Sequence, residues 1–277
     1  MIKPGKVTIV FLSGMIGSGK DEIGKRLVVR HGFHRLAFAD ALKRKLEVMN
    51  PLVQVKADES GNISLPDHMH ISNVLSVFGG WDKAKRLPDV RRLLQSEGHS
   101  AREVYGRDIF CRPVAAEIRE AIASRARSYE DLGKELRFVV TDTRQLFEPY
   151  ETVLNCGYPI DRLNLGMFYV ERPGCAVVNP EADSERFYEG LAYLAQTKIQ
   201  NDGTIDDLHR FIDESMVPQI MNAPQTNTMA KQFELAATVP HLFQWDLIDT
   251  LCDMCKKHKR AGGGARVCKY CLKGNMR

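Results

Sequence analysis

Three glycines and a lysine in Gly14-Met-Ile-Gly17-Ser18-Gly19-Lys20, with Ser13 before and Asp21 after, form the stretch best equipped for chemistry. Glycines let backbone N–H groups approach and turn toward an anion, and a lysine ammonium adds a charge that reaches it. Val7-Thr-Ile-Val-Phe-Leu12 ahead of the loop is rich in β-branched and aromatic residues and reads as a buried strand. Behind the loop, Ile23, Leu27 and Val28 recur at helical spacing, so a helix N-terminus meets it and favours negative charge. Strand, Gly-rich loop, lysine and helix together make a phosphate-binding loop. Ser13, Gly14, Gly17, Ser18, Gly19, Lys20 and Asp21 are its expected contacts. One position departs from the usual pattern: Asp21 stands where Ser or Thr would ligate Mg²⁺. A carboxylate is also a hard oxygen ligand, so that chemistry survives.

A second acid is placed to help. Arg137-Phe-Val-Val-Thr141 reads as a buried strand ending in Asp142-Thr143-Arg144. Ligands of open α/β sheets sit at the carboxyl ends of their strands. Asp142 there either shares Mg²⁺ with Asp21 or caps a turn. Between Trp81 and Arg112 the chain is rich in Arg, which suits an anionic substrate as well as a solvated face.

A separate constellation closes the chain. Cys252-Asp-Met-Cys255 and Cys268-Lys-Tyr-Cys271 are two Cys-x-x-Cys knuckles spaced for one tetrahedral Zn²⁺. Residues 251–277 carry eight Lys/Arg against Asp253 alone, within a net charge of +4 for all 277 residues, so the body of the chain is mildly acidic. The ribbon is either a structural clip or also a nucleic-acid contact, and its basic residues tilt toward a polyanion. Cys111, Cys156 and Cys175 read as core or incidental thiols.

The elements that must position these groups follow in order. Arg35–Ala39 reads as a second strand, Ala41–Met49 as a helix with Leu42 and Leu46 inward, and Asn50–Pro66 as an insertion outside the sheet. Helices are expected over His70–Phe78, from Pro88, and over Pro113–Arg127. Strands are expected at Tyr150–Leu154, Gly166–Val170 and Thr197–Gln200, with a helix at Ser184–Gln196. Thr204-Ile-Asp-Asp207 resembles a capping box. Strands alternating with helices predict an α/β fold, a doubly wound parallel sheet with a small zinc-ribbon appendage. The expected division is a phosphate-loop domain over 1–215 with an insertion at 50–112, a linker over 216–248, and the ribbon over 249–277. At 44% apolar residues the core is ordinary. The start is not a signal peptide and no apolar run approaches membrane-spanning length, so a soluble, cytoplasmic protein without a membrane partner is expected.

Several collinear motifs carry a resemblance: Ser18-Gly-Lys-Asp21, Phe38-Ala-Asp-Ala-Leu42-Lys43, Asn50-Pro-Leu52, Gly80-Trp-Asp-Lys-Ala-Lys85 and Val90-Arg-Arg-Leu-Leu-Gln95. Val140-Thr-Asp142-Thr-Arg144, Arg172-Pro-Gly174 and Asn201-Asp-Gly-Thr204 follow in order. With these the chain resembles the bacteriophage deoxynucleoside monophosphate kinases over roughly residues 5–215. The resemblance implies a doubly wound sheet of P-loop kinase type, with 1–215 nucleotide kinase-like and the 50–112 insertion on the acceptor side. It implies ATP and Mg²⁺ at the loop, Lys20 and Asp142 in catalysis, and Arg102, Arg144 and Arg172 steering the acceptor. It also implies the host cytoplasm if the chain is phage-encoded.

The departures lie on the acceptor side. Gly98-His99-Ser100-Ala101-Arg102 stands where the family has Gly-Thr-Glu and then Arg. Gln145-Leu-Phe-Glu148 replaces Phe-Pro-Asn-Glu, and Ala182-Asp-Ser184-Glu185 lacks the family's His. Two acceptors therefore stay open: a free deoxynucleoside monophosphate, or a hydroxymethylated pyrimidine such as 5-hydroxymethyluracil in DNA. A nucleotide-dependent DNA-binding switch without transfer is a third reading, against which Lys20 speaks.

Overall fold

Val7–Gly14 (β1) is buried at every residue. Such a run is stable only as a central strand covered on both faces. A computed structural model of the chain, describing residues 6–55, 66–127, 135–175, 190–192 and 195–222, places it so. β1 pairs in parallel with β5 (Leu136–Val140) on one side and with β6 (Leu163–Glu171) on the other. β2 (His34–Leu36) flanks β5 and β7 (Thr197–Gln200) flanks β6, giving the order β2-β5-β1-β6-β7, parallel throughout. Val10 stands opposite Val139 and Gly166.

Helices cover both faces. Val10 and Leu12 of β1 share a core with Ile23 and Leu27 of α1 (Lys20–His31). The same core takes Leu208 of α8 (Ile205–Phe211), Ile212 and Met216 of a π-helical turn, and Val217 and Ile220 of α9 (Val217–Met221). Ile9 and Phe11 are equally buried and point the other way, because strand side chains alternate. On that side α6 (Cys111–Arg127) packs on β5 and on α7 (Glu148–Cys156). The fold is α/β, a doubly wound parallel sheet. From β1 the chain runs to β2, and from β5 it crosses to β6, so the strand order reverses between β1 and β5. A crevice opens at the carboxyl ends of such a strand pair.

Three contacts fix the end of the described fold. Lys6 Nζ donates to Met221 O (3.1 Å), Asn164 Nδ2 to Ile220 O (2.7 Å) and Gln219 Nε2 to Thr197 Oγ1 (2.8 Å). α1 is clamped to the same helices: Arg26 donates to Asp213 through Nη2 (2.5 Å) and Nε (3.2 Å), and His31 Nε2 lies 2.8 Å from Asp213 Oδ1. His209 Nε2 lies 2.8 Å from Glu22 Oε1.

Phe38–Phe110 forms a second compact unit. α2 (Phe38–Met49) leads to a two-stranded antiparallel sheet of β3 (Leu52–Gln54) and β4 (His68–His70). Then follow α3 (Ile71–Phe78), α4 (Trp81–Ala84) and α5 (Pro88–Tyr105). Its core gathers Val53, Val55, Ile71, Val74, Ala84 and Val90. Asn50, at φ 46°, turns the chain; its Oδ1 accepts from Ser72 N at 3.0 Å, and its carbonyl lies 2.8 Å from His70 Nδ1.

Several sequence expectations are corrected. The strand expected over Arg35–Ala39 stops at Leu36, and Phe38 already opens a helix: Phe38, Leu42 and Leu46 recur at helical spacing and are all buried. Tyr150–Leu154 is not a strand but lies inside α7, with Pro149 in its first turn and Gly157 closing it at φ 62°. The β-branched pair Thr152-Val153 suggested a strand, yet Thr152, Val153 and Cys156 bury one helical face. α5 runs unbroken through Gly98. The second compact unit spans Phe38–Phe110, and Val217–Met221 is helical. Within the helix expected over Ser184–Gln196, residues 190–192 are helical and Leu191 is buried; most of the remainder lies outside the described residues. Cys252, Cys255, Cys268 and Cys271 lie outside them as well. Among the described residues no helix is long and apolar enough to cross a membrane.

Candidate functional site

β1 delivers its last residue, Gly14, into the crevice at φ 138°. A Cβ at Gly14 would overlap the Val170 carbonyl oxygen, so β6 approaches the loop closely enough to demand glycine. Gly17 and Gly19 follow at φ 81° and 104°, conformations that L side chains rarely adopt. Ser18 N donates to Met15 O (3.2 Å), and Glu22 and Ile23 donate to Gly19 O (3.1 Å each). The N–H groups of Gly19, Lys20 and Asp21 meet no backbone carbonyl among the described residues. They are the open donors of a helix N-terminus.

Lys20 lies back across this loop. Its Nζ donates to Gly14 O (2.5 Å) and Met15 O (2.6 Å), with Ser18 Oγ at 3.4 Å. Burial pushes the ammonium down from its ordinary value to about 8, and the Arg144 guanidinium pushes the same way. Asp21, Asp142 and the Cys175 thiol pull it up. Asp21, Asp142 and Arg144, expected to act with Lys20, thus each bear on its charge.

The tip of β5 is held by its neighbours. Thr141 N donates to Leu36 O and Thr143 N to Leu12 O, each at 3.1 Å, which places Asp142 between the ends of β1 and β2. Glu148 Oε2 accepts from Arg144 N (2.7 Å) and Gln145 N (2.9 Å). Ser13 Oγ, Thr141 Oγ1 and Thr143 Oγ1 are buried without a hydrogen-bond partner among the described residues. Buried hydroxyls of that kind ordinarily serve water or a ligand.

The remaining expected residues are less concentrated. Arg172 is exposed in the turn after β6, at the sheet edge where Val170 pairs with Gly14; its carbonyl accepts from Cys175 N (3.2 Å). Cys175 Sγ is 3.6 Å from where a Gly17 Cβ would stand. Arg102 belongs to the other unit, in the last turn of α5, its guanidinium 5.1 Å from the centre of the Phe110 ring. No group of three or more His, Cys, Asp or Glu side chains able to hold a metal occurs among the described residues.

Two further residues shape the site. Asn201, at the end of β7, donates through Nδ2 to Ser18 O (2.7 Å). In sequence it reads as a turn residue and as the first member of the Asn201-Asp-Gly-Thr204 motif, with no role attached, before the Thr204–Asp207 capping box, which is present. Its position directly after a strand at the carboxyl edge is the signal that could have singled it out. Glu148 is a buried carboxylate whose sequence signal is weaker, an acid four residues beyond Arg144.

Fixed donors, a half-buried ammonium and two carboxylates that bear on it can hold a polyphosphate and a hard divalent cation. No protein-family model matches the chain, and no curated protein matches it. Among solved structures it is similar to shikimate kinase from Aquifex aeolicus, with 10% identity, coverage of 78% of this chain and 99% of that one, and a TM-score of 0.31. It is also similar to a mutant of the Mycobacterium tuberculosis APS kinase CysC, with 12% identity, coverage of 79% and 100%, and a TM-score of 0.29.

Proposed function

We propose that the chain is a phosphotransferase that moves the γ-phosphoryl group of ATP to a deoxynucleotide acceptor. The observation that carries this reading is the loop from Gly14 to Lys20, with its positive-φ glycines and a lysine drawn over it at the point where strand order reverses. An acceptor oxygen attacks the γ-phosphorus as its bond to the β,γ-bridging oxygen breaks, and ADP leaves. Lys20 neutralises charge that spreads over the transferring group, and a planar Arg144 fork binds its oxygens. The donor set fits Mg²⁺, which would be held by Asp21 and Asp142 and would supply charge neutralisation at the phosphates. Arg102 and Arg172 are proposed for the acceptor phosphate.

The resemblance in sequence favours a free deoxynucleoside monophosphate as acceptor. The basic tail with its Cys-x-x-Cys pair favours a second reading, a hydroxymethylated pyrimidine in DNA, which requires the base to be single-stranded or flipped out. On this proposal residues 249–277 bind one Zn²⁺ through Cys252, Cys255, Cys268 and Cys271. Incubation of the full chain with γ-labelled ATP, Mg²⁺ and separate acceptors tests the reading. Label moves to one deoxynucleoside monophosphate, or to DNA carrying hydroxymethylated bases. Failure to label any member of either panel overturns the reading.

A further inference from the structure

The Ser18 carbonyl is turned away from the loop and is met by a donor from a distant part of the chain. Asn201 Nδ2 supplies it at 2.7 Å, and both residues are buried. We infer that Asn201 is a positioning residue, whose amide fixes the Ser18–Gly19 peptide so that its N–H is presented to a bound phosphate. The inference deepens the nucleotide reading above and rests on it.

Among the described residues every peptide bond is trans, and in a trans peptide C=O and N–H point in opposite directions. A carbonyl held toward β7 therefore turns the Gly19 N–H away from β7. That N–H meets no backbone carbonyl among the described residues, so it is held as a donor without being consumed.

The holder is itself rigid. Asn201 N donates to Glu171 O at 2.8 Å, which ties the residue to the end of β6. Three residues later the reciprocal Thr204–Asp207 cap fixes the start of α8. Contact with the loop is tight as well: a Cβ at Gly19 would overlap Asn201 Nδ2. With Ser18 only 1% exposed, solvent is poorly placed to replace the lost amide. An untethered peptide can rotate, and a donor already aimed before binding gives tighter association than one that must be ordered.

Calorimetric titration of the full chain with ADP and with ATP·Mg²⁺ tests this, at a temperature well below each variant's unfolding midpoint. Asn201→Ala is expected to raise both dissociation constants about tenfold, as expected for losing one oriented donor. Asn201→Asp, which sets a carboxylate against the Ser18 carbonyl, is expected to raise them further. Asn201→Ser serves if the alanine variant folds poorly. A residue that only stabilised the fold would lower the unfolding midpoint and leave the affinity of folded protein unchanged. Dissociation constants within about twofold of the parent chain in folded variants, alongside a parent that binds ATP, overturn the inference alone. A parent chain that binds neither nucleotide overturns the nucleotide reading and the inference with it.

Discussion

Glu148 and Arg144 are joined through the backbone, not through their charges: Glu148 Oε2 accepts from Arg144 N at 2.7 Å. The same oxygen accepts from Gln145 N at 2.9 Å, so a buried carboxylate sets the path of the turn that carries Arg144. Glu148→Ala removes the acceptor of one part-buried and one buried N–H group and is expected to cost about 2–4 kcal/mol in denaturant unfolding. Turnover of the folded variant is expected to fall by about 10²-fold through misplacement of Arg144. Glu148→Gln, which keeps an acceptor oxygen, is expected to lose less of both. Turnover of folded Glu148→Ala equal to the parent's would separate the turn from the chemistry.

Lys20→Ala is expected to abolish transfer by several orders of magnitude while leaving the unfolding midpoint close to the parent's, since the lysine acts on charge that develops in the reaction. The pH dependence has a definite sign. The ammonium is pushed down to about 8 in the unliganded chain, chiefly by burial, so it loses its charge as pH rises through that value. Phosphate favours the charged form. Nucleotide affinity is therefore expected to weaken above about pH 8, and binding near that pH should take up a proton. Titrations in buffers of different ionisation enthalpy read the proton directly. No uptake in the parent chain would place Lys20 outside the binding step.

The clamp at Asp213 predicts a stability effect remote from the site. Arg26, and after it His31, hold its carboxyl well below the usual carboxylate range. A depressed carboxyl contributes stability that is present above its unfolded value and lost as pH falls toward the folded one. The loss is thus expected below about pH 4. Asp213→Asn should flatten the stability profile in that acid range and lower stability at neutral pH. Unfolding midpoints measured from neutral to acid pH in both proteins check this, and parallel profiles would rule it out.

Removing the tail discriminates between the two acceptors. Metal analysis of the purified full chain is expected to find one Zn²⁺ per chain. A chain ending near Thr238 is expected to keep its turnover on a free deoxynucleoside monophosphate, because every motif of the transfer chemistry precedes it. If the acceptor is a base in DNA, the same truncation should weaken DNA binding and flatten its salt dependence, because eight cationic side chains leave with the tail. Undiminished DNA binding by the truncated chain would remove the tail from that role.

The sequence makes the centre of the sheet plain and its margins obscure. Val7–Leu12 can be read directly because a strand buried on both faces needs no alternation, only an unbroken apolar run before a turn. Lys20 and Asp142 follow from it, since each lies just past a strand of that kind. At Thr152-Val153 the same preference for β-branched residues misleads, because packing of α6 on α7 overrides local propensity. Leu36 and Phe38 sit where a strand gives way to a helix within two residues, and no glycine or proline marks the change. Asn201 is visible in its motif, but its contact is not: its partner is 183 residues away in the chain, and no local pattern encodes a contact of that span.

The ties from Lys6 and Asn164 to the last turn of α9 also set where a load can be applied. Both begin at the amino ends of strands, while the Gly-rich loop lies at the carboxyl end of β1. Eight residues of strand separate the two edges, roughly 25 Å. A tether attached at Asn222 therefore grips the sheet from the edge opposite the loop. A pull on that tether loads α9 and its three side-chain ties first.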